Sequence, residues 1–202
     1  AEYYGGSQVE PTINVTLDGL GRRVVNPGSM GGLFTTIAIV QGNLTNAVFV
    51  TENSTIRMAS ALPGASLGTL AMSAGKILTV DSVDGKQGLT FATSTTLAGN
   101  AEVSTTNNAT LALNNVGETA MAGLTKSGDG TLVLATANTY SGRTTLAGGM
   151  TRMGNDASLG TEDAAGTVIQ SGATLDIVGH RAGVTGNEPI QVQGAGVGGA
   201  GA

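Results

Sequence analysis

A Thr-Leu-x-apolar tetrad returns along the latter two-thirds of this chain, and the length of its period restricts the fold more than any other feature. It reads Thr69-Leu70-Ala71-Met72, Thr110-Leu111-Ala112-Leu113, Thr131-Leu132-Val133-Leu134 and Thr174-Leu175-Asp176-Ile177, with Ile77-Leu78-Thr79-Val80 and Leu89-Thr90-Phe91-Ala92 as variants. The marks Leu70, Leu111, Leu132 and Leu175 lie 41, 21 and 43 residues apart, near two, one and two multiples of about 21. Leu89 supplies one missing mark, and Leu146 or Met150 the other. At a rise of about 3.3 Å per residue, such a period closes one turn of a three-sided coil of short strands. Alternate Leu and Val would point inward and Thr outward, stacking into aliphatic ladders. The full chain would hold on the order of eight rungs. An antiparallel β-sandwich, with hairpin signals every 8 to 12 residues, is the alternative that the Gly-bearing turns leave open.

The stretch Gly128 to Gly160 shows the pattern most completely. A strand at Thr131 to Leu134 leads to a turn cluster, Asn138-Thr139-Tyr140-Ser141-Gly142. A second strand at Arg143 to Ala147 follows, then a Gly148-Gly149 break and a third strand from Met150. Each run ends where Gly, Asn or Ser can take the positive φ of a corner, and no helical period runs through it. Ala-Asn-Thr-Tyr-Ser-Gly, Arg-Thr-Thr-Leu, Gly-Gly and the closing Ala157-Ser158-Leu159-Gly160 together resemble the autotransporter-associated β-strand repeat of bacterial passenger domains. A looser likeness covers Thr167 to Ile177, Gly186 to Ile190 and Gly194-Ala195-Gly196. The resemblance implies an all-β, right-handed parallel β-helix of about 20 to 25 residues per rung, carried on a secreted or cell-surface protein. It speaks for architecture, since the family is defined by its scaffold.

Composition agrees independently. The chain has 33 Gly, only three Tyr and three Phe, no Trp, and 11% charged residues. Such a chain cannot centre its core on large rings and must bury small and medium side chains in thin layers, as a solenoid does. Residues 1–60 follow the pattern least. They form an N-terminal β-rich region serving as cap, first rungs or interaction segment, with Thr12 to Leu17 as a half-buried strand, turns at Asp18-Gly19 and Asn26 to Ser29, and an apolar run from Leu33 to Val40. Residues 61–202 form the β-helix repeats. The start at Ala1 without Met and the uncapped Gly-rich end lead us to expect a segment of a longer protein.

A net charge of −5, the absence of a basic stripe and the few aromatics argue against nucleic acid. Arg22-Arg23, the one dibasic pair, reads as a solvated loop. The chain has no cysteine, so disulfides and thiolate metal sites are excluded. No run of 18 apolar residues would span a membrane as a helix.

Residues that could carry chemistry are sparse. His180 stands alone and is expected beside Arg181 on a solvated loop. Asp81/Asp84 and Glu162/Asp163 are the close carboxylate pairs, with Lys76, Lys86 and Arg143 as the cations that a sugar-cleaving site would need nearby. Polar corner residues explain them better. Gly128-Asp129-Gly130 lacks the nonapeptide calcium repeat, and Ser141 has no His-acid partner set. The sequons at Asn14, Asn43, Asn53 and Asn108 are expected by chance in a chain so rich in Asn and Thr. No catalytic, cofactor-binding or metal residue is therefore assigned, and no cofactor is expected. The reading is a non-enzymatic, surface-exposed or secreted structural or adhesive β-solenoid. Its expected partners are other copies of itself, joined end to end or laterally into filaments, and cell-surface glycans or surface proteins. A polysaccharide-acting or carbohydrate-binding β-helix is the alternative.

Overall fold

The computed structural model describes residues 35–39, 45, 47–58, 64–161, 166–183 and 187–199. The expectations for Thr12 to Leu17, Asp18-Gly19, Arg22-Arg23, Asn26 to Ser29, the sequons at Asn14 and Asn43, and the Glu162/Asp163 pair lie outside these residues.

Strands follow one another at short intervals. The first are β1 (Thr35–Ile39), β2 (Val48–Val50), β3 (Ser54–Met58), β4 (Ala65–Met72), β5 (Ile77–Ser82) and β6 (Gly88–Leu97). The middle of the chain holds β7 (Ala101–Thr106), β8 (Thr110–Leu113), β9 (Val116–Glu118), β10 (Leu124–Ser127) and β11 (Thr131–Leu134). The last are β12 (Thr144–Leu146), β13 (Gly149–Met153), β14 (Thr167–Ile169), β15 (Ala173–Asp176) and β16 (Ile190–Val192). Among the described residues the single helical element is a 3-10 turn at Val197–Gly199.

One eight-stranded sheet runs β1-β3-β5-β7-β10-β12-β14-β16, and a second runs β15-β13-β11-β8-β6-β4-β2 with β9 beside β6. All of these pairings are parallel, which removes the β-sandwich. The chain is a parallel β-solenoid whose first sheet takes one strand from each of eight successive turns. Partners lie one turn apart: Thr35 beside Ser54, Leu78 beside Val103, Leu124 beside Thr144, Thr144 beside Thr167. These offsets of 19, 25, 20 and 23 residues bracket the period near 21.

The long strands β4 and β6 serve two ladders each. The register between them shifts at Leu67/Thr69; the first half of β6 pairs with β8 and the second half with β9. Three ladders per turn result, as the period requires. Beyond β9 the third ladder loses its strands, yet the backbone bonds continue: Thr139 N–H donates to Val116 O at 2.8 Å, and Asn138 N–H to Ala157 O at 2.9 Å.

Leu70 is a misplaced register mark. It pairs with Thr95 on the third ladder, while the ladder of the other leucines runs Ala65, Leu89, Leu111, Leu132, Thr151, Leu175. The mark missing between Leu132 and Leu175 is therefore Thr151. Leu146 lies in the other sheet beside Lys126, and Met150 faces outward beside Thr131. The bulge after Leu67 explains the error, because it lets one strand carry two ladders.

The core is a continuous aliphatic column including Leu78, Val103, Leu111, Leu124, Leu132 and Leu134. Few rings enter it, but Tyr140 and Phe91 are its largest fully buried side chains. Threonine is not confined to the outside. Thr95, Thr105, Thr144, Thr151 and Thr167 are buried, being small and β-branched enough for narrow parts of the coil. The hydroxyls of Thr95, Thr105 and Thr151 have no hydrogen-bond partner.

An unpartnered buried hydroxyl costs about 1–3 kcal/mol, and a methyl group of the same shape removes that cost. Thr151→Val, set between Leu132 and Leu175, is expected to stabilise the fold by about 1 kcal/mol. A urea midpoint that falls in this variant would show that the hydroxyl is satisfied.

Candidate functional site

Two polar features stand out against the aliphatic stack, and both involve the turn from Leu124 to Gly149. The first is internal. Lys126 occupies an inward position of β10 and is fully buried. Its ammonium donates to the carbonyls of Ser127 (2.8 Å) and Gly128 (3.1 Å) in its own turn and of Gly148 (3.0 Å) in the next. Burial lowers the ammonium from its usual 10.5 to about 8, with Asp129 pulling it upward. Gly128 makes the corner possible: φ is +79°, and a Cβ there would sit 2.1 Å from the Thr105 carbonyl oxygen.

Asn138 and Tyr140 extend the same cross-turn bonding. Asn138 Oδ1 accepts the Val116 amide at 2.7 Å from the preceding turn, while its Nδ2 donates to Ser158 O at 2.6 Å in the following one. The Tyr140 hydroxyl meets Thr144 Oγ1 at 2.7 Å, and Thr144 donates to Leu159 O. Burial pushes the Tyr140 phenol above its ordinary value. The turn cluster expected at Asn138 to Gly142 is thus a corner, but its Asn and Tyr point inward and join three turns.

The second feature is external. A furrow of about 630 Å³ runs along the corner preceding the first sheet, lined by Asn100, Met121, Thr125, Ser141, Arg143 and Thr145 among others. A smaller one of about 220 Å³ continues it past Glu102 to Lys76 and shares Asn100 and Thr125. Its floor is bare because the corner there is glycine. A Cβ on Gly142 would lie 2.4 Å from the Gly123 nitrogen, and one on Gly123 would lie 2.7 Å from the Arg143 carbonyl oxygen. Asn100 Oδ1 accepts the Gly123 amide at 2.7 Å, Lys76 Nζ is 2.9 Å from Glu52, and the Glu102 carboxylate accepts the Ser127 hydroxyl.

The other sequence candidates are not gathered into one site. Asp81 is held by Arg57 (2.8 Å), Thr106 (2.8 Å) and Asn107 (2.6 Å), contacts that span three turns. Burial disfavours its charge, but these hydrogen bonds outweigh it and keep the carboxyl below the usual range. Asp84 and Lys86 are exposed in the loop that follows. His180 is not merely solvated: Nδ1 lies 3.1 Å from Asp156, which also accepts the Arg181 amide at 3.0 Å. Those bonds, the Arg181 amide foremost, depress the Asp156 carboxyl. Asn53 accepts the Ile77 amide, and Asn108 lies exposed at φ +54°. Among the described residues no three of His, Cys, Asp or Glu form a cation cluster, and no helix is long and apolar enough to cross a membrane.

Sequence reasoning missed Lys126 and the furrow. The signal for Lys126 was its even spacing from Leu124 in a short alternating run; the furrow had none, since the residues lining it come from successive turns.

Residues 124–151 match the family model described as the passenger-associated-transport-repeat. The match contains β10 to β12, the Lys126 cage and Tyr140, and it overlaps the stretch in which the resemblance was read. The repeat and the solenoid together fit an autotransporter passenger-like segment. No curated protein and no solved structure matches the chain.

Lys126 yields a pH test. Its folded value lies below its unfolded one, so between about 8 and 10.5 the unfolded chain binds the extra proton and stability rises with pH. The stability of the native chain relative to Lys126→Met is expected to increase over that window, by at most about 3 kcal/mol. Urea titrations at pH 7.5 and 10 check it; a constant difference would place the ammonium at its ordinary value.

Proposed function

We propose that this chain is a non-enzymatic segment of a surface-exposed or secreted β-solenoid, serving as an extended structural and adhesive scaffold of the autotransporter passenger type. The observation that carries this reading is the match at residues 124–151, because it falls on the turn whose buried Lys126, Asn138 and Tyr140 bind it to its neighbours. Stacked turns give length without disulfides. Their outward positions can vary while the inward ladder is kept, so one coil can display different surfaces along its axis.

Antibodies against the purified chain are expected to label intact cells of the source organism or its culture medium. Labelling that requires permeabilised cells would overturn the surface reading.

A further inference from the structure

The furrow beside the first sheet has a periodicity of its own. Glu102, Thr125 and Thr145 are register partners on β7, β10 and β12, so a carboxylate and two hydroxyls recur once per turn along one wall. Asn100 and Ser141 stand along the same corner, and Lys76 and Arg143 mark its two ends. With Ile77 aligned on Glu102, the trough crosses four turns, about 14 Å at the strand spacing.

These properties select among ligand classes. The strands lining the furrow are hydrogen-bonded on both sides, so no free edge is offered for a peptide to add a strand. Two cations in a chain of net charge −5 make no phosphate track. Met121 and Ile77 are the large apolar groups along it, too few and too far apart for an apolar docking face. What remains is a shallow line of hydroxyl, amide and carboxylate groups repeating about every 4.8 Å, comparable to the length of one pyranose in an extended chain. Hydrogen bonding of this kind suits a polyhydroxylated ligand.

We propose that the furrow between Lys76 and Arg143 binds an extended oligosaccharide, one sugar per turn, with Glu102, Thr125 and Thr145 bonding successive residues. This rests on the reading of the chain as an exposed scaffold, and it names the ligand class and the face that would adhere.

The test is an array of linear oligosaccharides of one to six sugars, covering neutral hexose, N-acetylhexosamine and uronate chains. The best binder is then titrated into isotopically labelled protein. Affinity is expected to rise with length to three or four sugars and then level off, with amide shifts centred on Asn100, Gly123, Thr125 and Thr145. Thr145→Trp, which fills the trough from an outward position, is expected to weaken binding about tenfold or more. The double variant Thr125→Ala/Thr145→Ala removes the hydroxyls without adding bulk and provides the same reading should the tryptophan disturb folding. No binding on the array, equal binding of monosaccharides, or undiminished binding by both variants would each overturn the proposal. Failure here with intact surface labelling removes the furrow's role alone; labelling confined to the cell interior removes the scaffold reading as well.

Discussion

Parallel turns stacked at strand spacing, about 4.8 Å, leave no room for side chains where the coil turns sharply. The rest of the structure depends on that. At Gly128, Gly130, Gly142 and Gly149 a Cβ would lie within 2.1 to 2.4 Å of the neighbouring turn. The glycine content is therefore a packing requirement at these corners as well as a matter of backbone freedom. It also sets the ladder, since corners that approach this closely hold each strand in register with the next and bring Leu111 over Leu132.

The same closeness governs the buried polar groups. A solenoid core is narrow, and its corners turn carbonyls inward, away from water, where an unpaired group is costly. Lys126 answers this with one ammonium shared by three carbonyls of two turns, and Asn138 does so with both ends of its amide. A charge so placed is expensive to bury, and the depressed value of Lys126 reflects that expense. The gain is specificity: these groups find partners only when adjacent turns sit in one register, whereas leucine would accept several. The exposed ion pairs, Lys76 with Glu52 and Arg152 with Asp176, repeat the one-turn spacing but contribute little stability in water.

Much of the architecture was legible in the sequence because the period that builds the coil is also written in its leucines. Strand type, parallel stacking and turn length all followed from the spacing of Leu111 and Leu132. What failed did so for local reasons. Leu70 was assigned to the wrong ladder because β4 continues as one strand through the register shift at Gly68 and so carries two ladders. Strands β7, β9 and β10 were passed over because AEVSTT, VGE and LTKS carry too few large apolar residues, although alternation buries Ala101, Val103, Leu124 and Lys126. Tyr140 was read as a corner residue, since a sequence does not say that a corner can fold its ring into the coil. The furrow was invisible for a different reason: its residues lie 20 to 25 positions apart and become neighbours only once the register is known.

Inward and outward positions therefore carry different information. Along one inward column the chain repeats Leu89, Leu111 and Leu132 before a single threonine, because each turn must satisfy the same cross-section. Along an outward column it reads Ile77, Glu102, Thr125, Thr145, Val168, Gln191, keeping the one-turn spacing while the residue type changes. Repetition is demanded by packing, so a repeat motif reports on packing, and residues 124–151 identify a way of stacking. Recognition is free to depart from the repeat wherever side chains face water. In a coil of this kind the chemistry that distinguishes one segment from another is to be read across turns, down the columns that do not repeat, and the column through Glu102, Thr125 and Thr145 is the one that also borders a bare glycine floor.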